Sequence, residues 1–286
     1  AGQLGLGDFK SRAKPEMTPV DFQGKKVQQV DNYDRLFLRR TCAILENGAL
    51  YCWGHALLGY GDSRTRNKPD TRPINFWGKK VLQVAMSAEA TCALLEDSRL
   101  HCWGTDKSLQ GYGDKVKRLA PTLQSVDFRG LGVQQVSMHH VSACALLKDG
   151  SVSCWGSNHA GQLGYGDRTR RSKPGPRIPL VSKARWIGVG GGYTCVLLEK
   201  GWMKCWGFNR EGQLGYADQQ LRLQPDQSAL DFRGRRVVQS SLENEGACAV
   251  MDDKSMRCWG RVPIQRPLEA LRSPLSSPLL ENATRP

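Results

Sequence analysis

The chain has 286 residues, of which 40% are hydrophobic and 24% charged, and 41 Lys and Arg against 27 Asp and Glu give a net charge of +14. This is enough chain for a large core, and no apolar run approaches the roughly twenty residues that a membrane-spanning helix needs. These features argue against a membrane-embedded chain, and the basic excess favours acidic or anionic partners.

The first residues, AGQLGLGD at 1–8, match a glycine-rich motif that otherwise follows a Cys-Trp-Gly sequence. The chain is therefore expected to begin within a repeat. We expect it to be a portion of a longer protein, whose targeting signal is not readable here.

Ten cysteines form five pairs, and within each pair the cysteines lie ten residues apart with Trp-Gly after the second. The first cysteines recur every 50 to 53 residues, a period that predicts a propeller or solenoid. The pairs are Cys42 with Cys52, Cys92 with Cys102, Cys144 with Cys154, Cys195 with Cys205, and Cys248 with Cys258.

The third pair shows the local geometry. Lys148, Asp149 and Gly150 suit a three-residue hairpin that is closed by a glycine of positive φ. In such a hairpin Cys144 faces Cys154 in a non-hydrogen-bonded pair, where the Cα atoms come closest. We predict disulfides, each contributing roughly 2–3 kcal/mol by the chain-entropy model.

Two alternatives remain for the cysteines: free buried thiols, or metal ligands. Zinc sites usually use cysteines two to four residues apart, whereas the closest cysteines here are ten residues apart. Regular disulfides imply an oxidising compartment. We therefore expect a secreted protein or one of an organellar lumen such as the thylakoid lumen, and not a cytosolic one.

Each hairpin stands in the same order of elements. A strand signal precedes it, at 21–30, 75–84, 127–136, 184–189 and 231–240. A glycine-rich loop follows, and then a stretch with Pro and Lys or Arg that is expected to hold a short outer strand, because Pro is tolerated at sheet edges. Four short strands per fifty residues predict an all-β fold, a β-propeller of about five four-stranded blades.

The unit VQQV…CALLKDGSVSCWGSNHAGQLGYGD resembles the regulator of chromosome condensation repeat, in a form with two hairpin cysteines and Cys-Trp-Gly. The resemblance covers residues 1–260 and implies a β-propeller of four-stranded blades, typically seven in a ring. Either the five units close a ring or they belong to a seven-bladed one. The family includes a guanine-nucleotide exchange factor that docks on nucleosomes, E3 ligase modules and β-lactamase inhibitors, so the motif indicates fold better than function.

Positive charge recurs with the repeat in two clusters, and equivalent positions of a propeller lie on a circle. A ring of charge would attract an acidic protein, an anionic membrane surface or nucleic acid; the alternative is solvated loops that serve solubility. Nucleic acid is disfavoured because aromatic residues are scarce beside the basic ones. The first cluster, the candidate interface, follows the Asp-Phe turn as Lys25, Lys26, Lys79, Lys80, Arg235 and Arg236, and the second follows the glycine loop and includes Arg12, Arg66, Arg118 and Arg171.

One unit carries an insertion. Eleven residues separate Val30 from Cys42, whereas seven separate Val84 from Cys92. The insertion contains Leu36, Phe37 and Leu38, which we interpret either as a contact patch or as cover for a blade edge.

No catalytic motif was found, so we expect no enzyme activity, no cofactor and no metal site. His139 and His140 lack a third ligand at a plausible spacing. The glycines of GVGGGY at 188–193 are better explained by a tight turn than by nucleotide binding, because no helix follows.

Residues 261–286 leave the repeat and contain five prolines, which predicts an extended tail. Asn282 begins the one glycosylation sequon of the chain, which has meaning only in a secretory compartment.

The sequence thus favours a non-catalytic propeller for protein–protein interaction, a scaffold or accessory subunit of a larger complex that is peripheral to a membrane or free of one. The alternatives are an exchange factor or chromatin-binding propeller, and an enzyme inhibitor.

Overall fold

The computed structural model describes residues 2–35 and 38–261, except for the side chains of residues 34, 35 and 38. Its described residues form fifteen β-strands and no helix, arranged as five antiparallel sheets of three consecutive strands. The strands are β1 (Val27–Arg35), β2 (Leu38–Leu45), β3 (Leu50–Gly54), β4 (Val81–Met86), β5 (Ala90–Leu95), β6 (Leu100–Gly104), β7 (Val133–His139), β8 (Ser142–Leu147), β9 (Val152–Gly156), β10 (Ala184–Val189), β11 (Tyr193–Leu198), β12 (Met203–Gly207), β13 (Val237–Leu242), β14 (Gly246–Met251) and β15 (Met256–Gly260).

The predicted hairpin is present in every blade. In the third, Leu147 donates its N–H to the carbonyl of Ser151 at 2.9 Å, and Gly150 closes the turn with a φ of 83°. Cys144 pairs in register with Cys154. All five cysteine pairs are bonded, with S–S distances of 2.06–2.09 Å and Cα–Cα distances of 4.0–4.1 Å.

A fourth, outer element completes four of the blades, but it is one bridge long and not a regular strand. In the first blade Gly54 exchanges two backbone hydrogen bonds with Arg66, at 2.7 and 2.9 Å. A proline follows three residues later, and proline cannot donate to a ladder. The equivalent bridges join Gly104 to Arg118, Gly156 to Arg171, and Gly207 to Arg222.

The hydrophobic core lies between blades. One cluster joins Leu100 and Trp155 across the second and third blades, and another joins Leu146 and Trp206 across the third and fourth. Because each of the three inner blades is covered on both faces, their second and third strands are buried along their whole length. The all-β propeller architecture that the sequence predicts is confirmed.

The Trp of each Cys-Trp-Gly sequence locks neighbouring units together. Trp155 donates its indole N–H to the carbonyl of Leu109 in the preceding glycine loop, at 2.8 Å, and Phe128 packs against its ring at a centroid distance of 5.8 Å. Trp53 binds the carbonyl of Gln3 in the same way. The repeated Trp, Phe and Gly residues therefore serve blade packing.

The outward faces of the first and fifth blades are uncovered. Val30 is 56% exposed, whereas its counterpart Val84 is 2% exposed, and Met256 on β15 is 49% exposed. The described blades therefore form an arc in chain order, and they do not pack as a closed five-bladed ring. None of the described residues forms a helix long and apolar enough to cross a membrane.

Candidate interaction surface

One end of the blades is formed by two kinds of turn, and we call it the turn face. The first kind joins the second and third strands of a blade, and the second kind precedes the first strand. Register places them together: in the fourth blade Ala184, which begins β10, pairs with Leu198, which ends β11. The glycine loops and the β1–β2 connection lie at the opposite end, the loop face.

The turn before the first strand has the same chemistry in four blades. In the first, the carboxylate of Asp21 accepts the N–H of Gln23 at 2.6 Å, and Gln23 and Gly24 both have positive φ. Two consecutive positive φ values define a type I′ turn. The Phe of each turn is directed at the Trp of its own blade, with Phe22 5.8 Å from Trp53. This packing holds the basic residues that follow at the face.

In four blades an exposed cation lies immediately before the first strand, and together these cations form a ring on the turn face. The stem of Lys80 covers Gly48 in the turn of the preceding blade, where an added Cβ would lie 2.4 Å from that of Lys80. Arg236 covers Gly201 in the same manner. The third blade has Gly132 at this position and contributes no cation to the ring, and the stem of Lys148 lies against Gly132. The ring members are Lys26, Lys80, Lys183 and Arg236.

The other cations of the candidate interface differ among themselves. Lys79 forms an ion pair with Asp97, and Arg235 forms one with Asp253 at 3.2 Å. Lys25 is exposed and forms no ion pair within the described residues. Of the six predicted basic residues, Lys25, Lys26, Lys80 and Arg236 therefore keep their charge available to a partner.

The expectation of a second charged ring was partly wrong. In each glycine-loop unit one arginine is held by the aspartate four residues earlier: Arg118 donates to both carboxylate oxygens of Asp114, at 2.9 and 2.6 Å. Its guanidinium lies 4.0 Å from the centroid of Tyr112, and its side chain is 7% exposed. This pairing lowers the pKa of Asp114 to about 2. Arg66, Arg171 and Arg222 are held in the same way, each by its aspartate and over a tyrosine ring. Arg12 pairs with Asp8 but has no tyrosine ring, because Leu6 stands at that position.

These arginines fail as a binding ring because their charge is neutralised internally. The exposed cations that remain beside the glycine loops are Lys10, Lys14, Arg64, Lys68, Lys115, Lys117, Arg168 and Lys173. The recurrence of Asp and Arg four residues apart in every glycine-loop unit was the signal available in the sequence.

The insertion extends a hairpin and is not a loop: β1 and β2 pair as far as Arg35 with Leu38. Leu36 and Phe37 and the side chain of Leu38 lie outside the described residues, so their role as a contact patch stays a prediction. Asn282 and the tail likewise lie outside them.

His140 connects three blades at the loop face. Its Nδ1 lies 3.1 Å from the hydroxyl of Tyr33 in the first blade, and its Nε2 lies 2.6 Å from Oδ1 of Asn244 in the fifth. The described residues contain no group of three His, Cys, Asp or Glu side chains placed to hold a metal ion. These contacts indicate a packing role for His140.

The GVGGGY segment is a tight hairpin, as expected. Gly190 donates to the carbonyl of Tyr193 at 2.8 Å, and β11 follows directly. A Cβ on Gly191 would lie 2.2 Å from the carbonyl oxygen of Asn244. The glycines therefore permit the close approach of the fourth and fifth blades.

Two charged groups of the first blade, the buried Arg40 and the partly buried Asp31, were not predicted from the sequence. Arg40 is 2% exposed and donates to the carbonyls of Ser87 and Ala88 in the next blade. Burial lowers its pKa to about 10, and burial raises the pKa of Asp31 to about 7. The other blades carry small residues at the position of Asp31, and this difference was the available signal.

The family model of the regulator of chromosome condensation (RCC1) repeat matches residues 149–197. Probable E3 ubiquitin-protein ligase HERC4 of Rattus norvegicus is 31% identical over 267 residues, which is 91% of this chain and 24% of HERC4. Ultraviolet-B receptor UVR8 of Arabidopsis thaliana is 30% identical over 193 residues, which is 65% of this chain and 43% of UVR8.

Among solved structures, Prp20p of Saccharomyces cerevisiae matches with a TM-score of 0.74 at 22% identity, over 91% of this chain and 64% of Prp20p. This likeness places the chain among the β-propellers. With the repeat match and the relatives, the chain belongs to the RCC1 repeat family, in a form whose blade hairpins are disulfide-bonded.

The propeller fold supports a role of this chain in protein–protein interaction. The chain spans about a quarter of the length of HERC4 and less than half of UVR8. The match does not carry the ligase activity of HERC4 to this chain.

Proposed function

We propose that the chain is a non-catalytic interaction propeller, a scaffold or accessory subunit of a larger complex, which binds an acidic surface of another protein chain through its turn face. The observation that carries the proposal is the ring of exposed cations at one repeated position. Its members Lys26, Lys80 and Arg236 belong to three different blades.

Rigidity supports this role. Val81 at the start of β4 donates to the carbonyl of Gly48 in the preceding blade at 2.9 Å, and Val237 donates to Gly201 at 3.0 Å. The cations are therefore carried on a preorganised frame, which reduces the entropy that a partner must overcome on binding. Electrostatic complementarity of this kind raises association rates and gives specificity.

Similar proteins give the proposal a precedent. Yeast Prp20p binds Gsp1p and histones, and the same yeast protein has been crystallised bound to Kap60. Protein partners are thus compatible with this fold. No feature of the described residues favours the exchange-factor or inhibitor alternatives over a scaffold.

We further propose that the chain works in an oxidising compartment. Five bonded hairpins leave no free cysteine among the described residues, and such regularity is rare where glutathione keeps thiols reduced. Mass spectrometry of the protein from its native source, alkylated before reduction, tests this point. Alkylated cysteines throughout would contradict it.

A charge-reversal experiment tests the surface. The variant K26E/K80E/K183E/R236E removes the ring, and the control K10E/R64E/K115E/K117E reverses four exposed cations beside the glycine loops. The probe is fluorescent poly-L-glutamate, followed by anisotropy at two salt concentrations. We expect the ring variant to raise Kd by about tenfold or more and the control to change it by less than about threefold. Equal effects of the two variants would refute the turn face as the binding surface.

A further inference from the structure

The turn face exposes a tryptophan in its second blade. Trp77 is 38% exposed and has a φ of 55° within a type I′ turn. Its ring lies beside His101, at a centroid distance of 5.5 Å, and Lys79 and Lys80 follow it after Gly78. The other blades with this turn carry polar residues there, namely Gln23, Arg129 and Arg233.

A second tryptophan lies on the same face. Trp202 is 51% exposed in the turn between β11 and β12, where the other blades have Ala49, Arg99, Ser151 and Ser255. Nζ of Lys200 lies 5.9 Å from its ring centroid, and Arg236 packs against the neighbouring Gly201. Neither tryptophan is needed for the turn that holds it, because polar or small residues form the same turns elsewhere.

Exposed tryptophans beside cations are typical of binding hot spots. Both residues lie close in the chain to the charged ring: Trp77 precedes Lys80 by three residues, and Trp202 follows Gly201, which Arg236 covers. We propose that Trp77 and Trp202 are the two anchors of the turn face, and that the partner is an acidic polypeptide segment that also carries apolar or aromatic side chains. This inference rests on the proposed function of the turn face.

The charge pattern favours a polypeptide over other anions. A carboxylate stands beside each ring cation at the turns between second and third strands: the backbone N–H groups of Glu46, Glu96, Glu199 and Asp252 donate to the carbonyls of Lys26, Lys80, Lys183 and Arg236. These four carboxylates are exposed and form no ion pair within the described residues. An anionic bilayer or a phosphate backbone presents continuous negative charge, which these carboxylates would repel. A polypeptide carries discrete charges that can be positioned away from these carboxylates. Its apolar or aromatic side chains can pack against the two exposed indole rings.

The test uses variants that borrow residues from other blades. W77Q introduces the residue found at position 23, and W202S introduces the residue found at positions 151 and 255, so the turns are expected to persist. The matched control is F9S, since Phe9 is 64% exposed next to a glycine loop on the loop face. Thermal unfolding of each variant checks that the fold is retained.

The probes are poly-L-glutamate and a glutamate–tyrosine copolymer of equal length. For the unchanged chain we expect the copolymer to bind about tenfold more tightly than poly-L-glutamate, and W77Q/W202S to abolish that preference. F9S should leave the preference intact. If the unchanged chain shows no preference for the copolymer, or if W77Q/W202S keeps that preference, Trp77 and Trp202 are not anchors.

Two further outcomes separate the hypotheses. If poly-L-glutamate binding still depends on Lys26, Lys80, Lys183 and Arg236 while the aromatic preference is missing, the anchors fail and the proposed function stands. If neither polymer binds, both fail. Phosphatidylcholine–phosphatidylserine vesicles are the third probe. If the chain binds the vesicles more tightly than the copolymer, and if that binding depends on both tryptophans, the partner is a membrane surface. This result would overturn the inference of a polypeptide partner.

Discussion

The side-chain amide of Gln83 in the second blade forms two hydrogen bonds with the backbone of Val136 in the third. Its Nε2 donates to the carbonyl at 2.9 Å, and its Oε1 accepts the N–H at 3.0 Å. Gln135 binds Ile187 in the same way, at 3.1 Å for both bonds. This staple joins the first strands of neighbouring blades where regular sheet pairing is absent.

Replacing Gln83 by Leu should destabilise the fold by about 1–3 kcal/mol, because two hydrogen bonds are lost and the N–H of Val136 loses its partner. The matched control is Gln239, which holds the same register in the fifth blade but is exposed and forms no hydrogen bond within the described residues. Q239L should stay within about 0.5 kcal/mol of the unchanged protein. Urea unfolding measures both; equal losses would show that the staple contributes nothing.

Gly111 should resist substitution more than Gly130, although both have nearly the same φ, 79° and 80°. A Cβ on Gly111 would lie 3.1 Å from Nε1 of Trp155, whereas nothing lies within 4 Å of one on Gly130. We expect Gly130→Ala to cost about 1 kcal/mol for its backbone conformation and Gly111→Ala to cost about 1–2 kcal/mol more, because the indole must move. Thermal unfolding of the two variants compares them directly, and a cost that is the same for both contradicts the packing argument.

The five disulfides should differ in their resistance to reductant. Cys144 and Cys154 are fully buried, whereas Cys258 on the uncovered face of the fifth blade is exposed. Thiol–disulfide exchange needs access to a sulfur atom. With increasing dithiothreitol, differential alkylation and mass spectrometry should detect reduction of Cys248–Cys258 before the other pairs. Simultaneous reduction of all five would mean that exposure does not control their reactivity.

Asp31 should make stability fall as the pH rises from 3.8 to about 7. Its pKa is raised from 3.8 to about 7 in the folded chain, so the folded state binds this proton more tightly than the unfolded state. The contribution of that proton to the free energy of unfolding is fully present below pH 3.8 and is lost as the pH rises through 7.

The variant D31S, with the residue found at positions 137 and 241, should therefore melt higher than the unchanged protein at pH 8. The difference should shrink toward pH 5. Each kcal/mol that the substitution adds to the free energy of unfolding should raise the melting temperature by about 2–4 °C for a chain of this size. Melting curves by circular dichroism at both pH values test this, and a difference that does not change with pH would exclude Asp31 as its source.

Local features could be predicted from sequence because they depend on residues close in the chain. The three-residue turn around Asp149 dictates that Cys144 faces Cys154, whatever surrounds the hairpin. The Asp-Phe turns and the hairpin of GVGGGY are of the same kind. The Asp114–Arg118 pair is also local, but it depends on the loop conformation that stacks the Arg118 guanidinium on Tyr112, which the spacing alone does not predict.

What the sequence alone determined was the repeat, the hairpin register and the blade as the unit of folding, since short-range sterics and turn chemistry decide them. The tertiary structure alone decided which cations stay free, which glutamine staples two blades and which tryptophans reach solvent. Those properties depend on a neighbouring blade about fifty residues away, and burial against that neighbour sets the solvation and partners of each charge.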